Sequence, residues 1–215
     1  MSQIKERPIL FSAPMVRAIL EDRKTVTRRQ VKCSIANRFD EPRGQADVDA
    51  GYPFVECEDG YVSAVKLCPY GQPGNRLWVR ETWAEIRVAQ APDQEWIVYR
   101  ECDNRTDYGG PWKPSIFMPR RACRILLEVT AVRVERLQGI SDDQALAEGI
   151  VGVDFRPDDG WPICTGYMVG PDDGKSSLET TAARAFAKLW SSINGAESWD
   201  ANPWVWVVEF KRVTP

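Results

Sequence analysis

The chain opens on an apolar run, "RPILFS", that reads as a strand and then changes period. In "APMVRAILEDRK" the positions Val16, Ile19 and Leu20 recur at helical spacing behind Pro14, which suits a first helical turn. A short helix ending near Asp22 or Arg23 is expected. Period two returns in "NRLWVRETWAE", after a Pro-Gly turn, with Leu77, Val79 and Glu81 on one face and Trp78, Arg80 and Thr82 on the other. "EWIVYR" and "PSIFMP" read as further extended pieces. "CRILLEVTAVRVERL" reads as a long strand or a bent strand pair, and "PWVWVVEFKRV" as the last strand, since β-branched and aromatic residues suit a pleated surface. Two helices are expected between them, each opened by a capping-box pattern, Ser141 with Gln144 and Ser176 with Glu179. The first covers "SDDQALAEGI". The second covers "SLETTAARAFAKLWSSI" and stops at Asn194-Gly195.

Short strands with few, dispersed helices and no regular strand-helix alternation predict an α+β fold: a small β-barrel with flanking helices rather than a doubly wound sheet. Two turn-rich stretches, 33–75 and 151–177, read as insertions into a single domain spanning 1–215. An apolar content of 43% is enough for a sizeable core. No apolar run approaches the roughly 20 residues of a membrane span, and "MSQIKERPIL" lacks a signal peptide's apolar stretch. A cytoplasmic protein without a membrane partner is expected. With a net charge of −3, any nucleic-acid contact has to come from a local patch. The six cysteines contain no CxxC pair and read as reduced thiols, so neither a metal nor a cofactor is expected.

The chain has no histidine. That excludes Ser-His-Asp and Cys-His nucleophile systems and histidine-ligated metal centres, and leaves proton transfer to Lys, Glu, Asp, Tyr or Cys. The run "RKTVTRR" admits two readings. It is a basic helix end followed by an edge strand decorated with cations, or Lys24, Arg28 and Arg29 form a site for a phosphate or polarised carbonyl among threonine hydroxyls. Strand alternation puts Thr25, Thr27 and Arg29 opposite Lys24, Val26 and Arg28 unless the chain turns at Lys24. In "LWVRETW", Trp78, Arg80 and Glu81 are either core aromatics beside an ion pair or the wall of a base pocket. "WKPSIFMPRRACR" adds Trp112, Arg120 and Arg121, a second aromatic and basic cluster that is either a solvated face or a nucleic-acid contact. Glu148 falls late in its helix, where the helix dipole disfavours a carboxylate; it is a surface residue or one that serves a site.

Four phrases in this order, "ILEDRKTVTRR", "PGNRLWVRETW", "ISDDQALAEGI" and "WVVEFKRV", resemble the ASCH domains of the PUA-like superfamily, small β-barrels with flanking helices. Longer phrases such as "ERPILFSAPMVRAIL" and "CPYGQPGNRLWVRETW" look like a larger ASCH-type protein encoded by tailed phages and prophages. Within the family, a small bacterial N4-acetylcytidine amidohydrolase uses a Lys, a Thr and a Glu. Its "GRKTxT" motif falls on "DRKTVT", which carries the lysine to Lys24 and the threonine to Thr27; its glutamate falls on Glu148. The sequence departs from that motif at Asp22, where a glycine is usual, and at Arg28, where that enzyme has an apolar residue. The resemblance implies an amidohydrolase acting on an acylated or modified pyrimidine nucleoside. Lys24 would be the base that activates Thr27 or a water, Thr27 the nucleophile or positioning hydroxyl, and Glu148 the proton shuttle or the hydrogen-bond partner of the leaving amine. Arg28, Arg29, Trp78, Arg80, Glu81, Trp112, Arg120 and Arg121 would bind substrate. The other reading is a non-catalytic module that binds RNA or modified nucleic acid, or a ribonuclease.

Overall fold

The computed structural model describes residues 4–40, 52–58, 60–88, 91–101, 111–157, 160, 162–170 and 177–214. β1 (Glu6–Leu10) leads into α1 (Ala13–Leu20), followed by β2 (Val26–Gln30) and the single-turn α2 (Cys33–Ala36). A hairpin of β3 (Phe54–Cys57) and β4 (Gly60–Ser63) comes next, then β5 (Arg76–Arg80), β6 (Trp83–Val88) and β7 (Ala91–Tyr99). β8 (Leu126–Arg136), α3 (Asp142–Ala147), β9 (Ile150–Phe155), β10 (Cys164–Val169), α4 (Ala182–Asn194) and β11 (Trp204–Val213) complete the chain.

The fold is α+β, and its centre is an open five-stranded sheet in the order β1-β5-β8-β11-β2. The expected closed barrel is not formed among the described residues; β6-β7, β9-β10 and β3-β4 pair as separate two-stranded sheets instead. Only the β1-β5 pair of the central sheet is parallel. Both faces of the sheet are covered, as β11 makes plain: Trp206, Val208 and Phe210 join one core, while Val205 and Val207 join another. Burying each such side chain contributes about 1.5–3 kcal/mol.

The long strand β8 keeps one face on the first core by means of a bulge. Leu127 and Val129 lie opposite Arg212 and Phe210, the register then skips Thr130, and Val132 and Val134 lie opposite Val208 and Trp206. The extra residue shifts the side-chain phase by one, so Leu127, Val129, Val132 and Val134 all enter the same core. That is the physical content of the "bent strand pair" reading of this segment.

Elsewhere the expected elements differ in detail. "PSIFMP" is not extended but holds a 3-10 turn, Ser115–Phe117. "NRLWVRETWAE" is split at Glu81-Thr82 into β5 and β6. The stretch 151–177 contributes the β9-β10 hairpin, with Tyr167 and Val169 packed on the second core. The stretch 33–75 supplies Val55, Ala64 and Cys68 to the first. α4 starts at Ala182, six residues after the expected cap; its N-cap is Thr181, whose hydroxyl accepts from the Arg184 amide, and Ser176 lies outside the described residues. No helix among the described residues is long and apolar enough to cross a membrane.

Burial also divides the thiols. Cys68 is buried and pushed up to about 11, whereas Cys33 is exposed. Iodoacetamide at pH 8 is therefore expected to alkylate Cys33 well before Cys68 in the native protein, read by peptide mass spectrometry.

Candidate functional site

The site forms where α1, β2 and the end of α3 meet. The amides of Arg23 and Lys24 both donate to the Ala18 carbonyl, 2.9 and 3.0 Å, and Asp22 adopts φ 57° to make this turn. Glycine takes that conformation without strain, and aspartate is among the few other residues that tolerate it. The turn aims Lys24 away from strand alternation. Thr25 then ties two elements together: its amide donates to Ala147 at the end of α3, 2.9 Å, and its carbonyl accepts from Phe210 of β11, 2.9 Å.

Glu148 is set by the capping box at the other end of its short helix. The Gln144 amide donates to the Ser141 hydroxyl and the Gln144 side chain accepts from the Ser141 amide, which fixes the register of α3. Glu148 is the C-cap and is 2% exposed, not on the surface. The dipole that disfavours a carboxylate here is offset by Lys24, which is also 2% exposed. The Lys24 ammonium donates to Glu148 Oε2 at 2.5 Å, to the Glu148 carbonyl at 2.9 Å and to the Val26 carbonyl at 2.7 Å. All three of its protons are thereby used. Burial holds the Lys24 amine below its ordinary value of 10.5, against the opposing pull of the Glu148 carboxylate.

Arg28 is the second cation on Glu148. Its Nη1 lies 3.3 Å from Glu148 Oε1, and its Nη2 donates to Gln144 Oε1 at 2.8 Å and approaches Glu135 at 3.4 Å. Gln144 thus serves the helix cap and the arginine at once. Arg29 turns to the other face of β2, where its guanidinium donates to the Leu10 carbonyl and sits 5.2 Å from the Phe11 ring centroid. Burial lowers its pKa as well.

Among the described residues β2 has a strand neighbour on one side only, β11. Residues of β2 line a cavity of about 60 Å³. Thr27, Arg28, Arg29 and Gln30 form its β2 wall, Glu148 one end, and Met15 of α1 with Phe186, Leu189, Trp190, Ile193 and Asn194 of α4 the remainder. Thr27 and Glu148 therefore line one cavity. Lys24 stands behind Glu148 rather than on the cavity surface; it borders a separate cleft with Asp22, Thr25 and Arg212, with its own side chain fully buried.

The remaining residues of the expected binding set lie elsewhere. Trp78 packs with Trp83, Met118 and Leu126 in a third core. Arg80 stacks on Trp78 at 4.7 Å and donates to the Ile116 carbonyl. Glu81 is buried against Arg124 through two hydrogen bonds of 2.8 and 2.7 Å. Arg120 pairs with Glu6, Arg121 with Glu85, and Trp112 precedes Lys113, whose ammonium sits 4.7 Å over Trp83. None of these residues lines the cavity beside Glu148. Within "LWVRETW", Arg80 stacks on Trp78 and the two tryptophans share a core beside the Glu81–Arg124 ion pair.

Sequence reasoning missed the α4 wall. Phe186, Trp190 and Ile193 recur at helical spacing, a stripe indistinguishable in sequence from one that only fills a core.

Gly149 follows Glu148 at φ +101°, and a Cβ there would meet the Ala18 Cβ at 3.0 Å and the Lys24 Cβ at 3.5 Å. Gly149→Ala is expected to move Glu148 relative to Lys24 and to lower stability by about 1–3 kcal/mol through the strained backbone, measured by urea unfolding. The chain matches no family model, no curated protein and no solved structure.

Proposed function

We propose that the protein is an amidohydrolase acting on an acylated pyrimidine nucleoside or nucleobase of the N4-acetylcytidine kind, on a domain of the PUA-like ASCH type. The observation that carries this reading is the buried contact of 2.5 Å between Lys24 and Glu148, a carboxylate that lines one cavity with Thr27. A lysine whose pKa is lowered by burial can act as a base, and a carboxylate between it and the cavity can pass the proton.

The reaction then runs in balanced steps. The Thr27 hydroxyl, or a water it positions, adds to the acyl carbon. Its proton passes through the Glu148 carboxyl to the neutral Lys24 amine, and the carbonyl oxygen takes the negative charge. Collapse of the tetrahedral adduct breaks the C–N bond, and the proton returns through Glu148 to the leaving exocyclic nitrogen. Where Thr27 attacks, a water repeats the sequence on the acyl-threonine ester. The products are a carboxylic acid and the free amine. Arg28 keeps Glu148 aligned throughout.

Incubation of the protein with N4-acetylcytidine is expected to release cytidine and acetate in equal amounts, followed by chromatography. Absence of turnover contradicts the reading. The reader or ribonuclease alternative has less support, since Arg120, Arg121 and Arg124 each face an acidic partner, Glu6, Glu85 and Glu81.

A further inference from the structure

Six charged side chains stand in line from the buried pair to the surface, and the proton path uses only the first two. Lys24 meets Glu148 at 2.5 Å, Glu148 meets Arg28 at 3.3 Å, Arg28 meets Glu135 at 3.4 Å, Glu135 meets Arg133 at 2.8 Å, and Arg133 meets Glu209. The signs alternate throughout. Sheet register brings the outer members together: Arg28 of β2 and Arg133 of β8 lie on either side of Val207 of β11, and Glu135 follows two residues along the same face of β8. Exposure rises along the line. Lys24, Glu148 and Arg28 are buried, whereas the Glu135 side chain is 26% exposed and those of Arg133 and Glu209 more so. Arg133 and Glu209 also border an open cleft of about 430 Å³, with Asp143 and Gln144 of α3 on its wall.

Arg28 is the member that faces both ways. Its shortest bond goes to a neutral group, Gln144 Oε1 at 2.8 Å, while its two carboxylate contacts are longer and nearly equal, 3.3 Å to Glu148 and 3.4 Å to Glu135. Gln144 thus fixes the guanidinium between the two carboxylates, and its charge is divided. On the inner side Glu148 already carries the Lys24 ammonium. A second cation given wholly to a buried carboxylate would favour its charged form so strongly that it could no longer take a proton on the way to Lys24. Glu135 draws part of the Arg28 charge outward, and Arg133 holds Glu135 in place. We propose that Glu135 is a positioning residue of this site: by holding the outer side of Arg28 it leaves Glu148 able to take up and release the proton. The catalytic part of this inference rests on the hydrolase reading; the sharing of Arg28 between two carboxylates does not.

The test is Glu135→Gln, which removes the charge and keeps the shape, with Lys24 read directly. The full chain, carrying lysine labelled with 13C at Cε, is titrated by NMR through the alkaline range, and the Lys24 signal is assigned with Lys24→Met. With one negative charge gone the neutral amine is favoured, so the Lys24 midpoint is expected to fall by about half a pH unit. In turnover of N4-acetylcytidine the rising limb of kcat/KM then begins at lower pH. On its plateau kcat is nevertheless expected to fall about tenfold with little change in KM, because Glu148 takes the proton less readily. Loss of structure alone does not give an earlier limb together with a lower plateau. Glu6→Gln, which takes the same charge from the Arg120 pair on β1 at the other edge of the sheet, is expected to move neither. An unmoved Lys24 midpoint in Glu135→Gln, an equal movement in Glu6→Gln, or an unchanged plateau overturns the inference. A lowered midpoint in a protein that does not hydrolyse N4-acetylcytidine removes the reaction, and with it the catalytic part, and leaves the shared charge; hydrolysis with an unmoved midpoint removes the role of Glu135 and leaves the reaction.

Discussion

Glu148→Ala is expected to lower the unfolding free energy by about 3–5 kcal/mol, because it strips the carboxylate from two buried cations at once. Lys24 and Arg28 are 2% and 4% exposed, and neither can reach water without moving the elements that hold it. The Lys24 ammonium would keep the Val26 and Glu148 carbonyls as acceptors but lose its charged partner. The paired replacement Lys24→Met with Glu148→Leu removes both charges and is expected to recover a large part of that loss, since an apolar pair of similar volume avoids the desolvation that the ions incur. Urea unfolding of the two variants decides this. If Glu148→Ala costs less than about 1 kcal/mol, the ion pair is not the buried contact described here.

Lys24→Met is expected to cut the hydrolysis rate by about 10²–10⁴-fold, the range over which a positioned acid-base group contributes. Methionine keeps the length and packing of the lysine stem, so the effect should appear in kcat with little change in KM. Native circular dichroism in the same variant separates lost chemistry from lost structure. A rate within a fewfold of the parent's would remove Lys24 from the proton path and leave it a structural counter-ion to Glu148.

The two residues that matter most lie 124 positions apart, and periodicity alone gave no reason to pair them. What the sequence did carry was local. The capping box at Ser141 and Gln144 fixes α3, and the Pro14 start of α1 with its stop before Lys24 follows from helix chemistry. The helix dipole left Glu148 either a surface residue or one that serves a site, and the resemblance to ASCH domains set it beside Lys24; the contact between the two is visible only in the fold. The alternation in "LWVRE" was legible too, since Leu77 and Val79 enter one core and Trp78 another. Its functional reading was not, because only long-range packing sends Glu81 to Arg124 and Arg80 to Trp78. Closure of the sheet was equally out of reach. Strand lengths and β-propensity look alike in a barrel and in an open sheet, and the difference lies in whether β1 and β2, the two edges, find each other.

The same limit hid the α4 wall. An apolar stripe with Trp190 in it reads alike whether it only packs a core or also lines a cavity, as this one does.

Whether Lys24 is the base is read from the pH dependence of kcat/KM for N4-acetylcytidine. Lys24 must be neutral to accept a proton, and burial holds its pKa below 10.5, so the neutral fraction grows as pH rises through that lowered value. The rate is expected to climb with pH and to level off below 10.5, with this limb abolished in Lys24→Met. No hydrolysis at any pH, or a flat profile that the Lys24 substitution leaves unchanged, would contradict it.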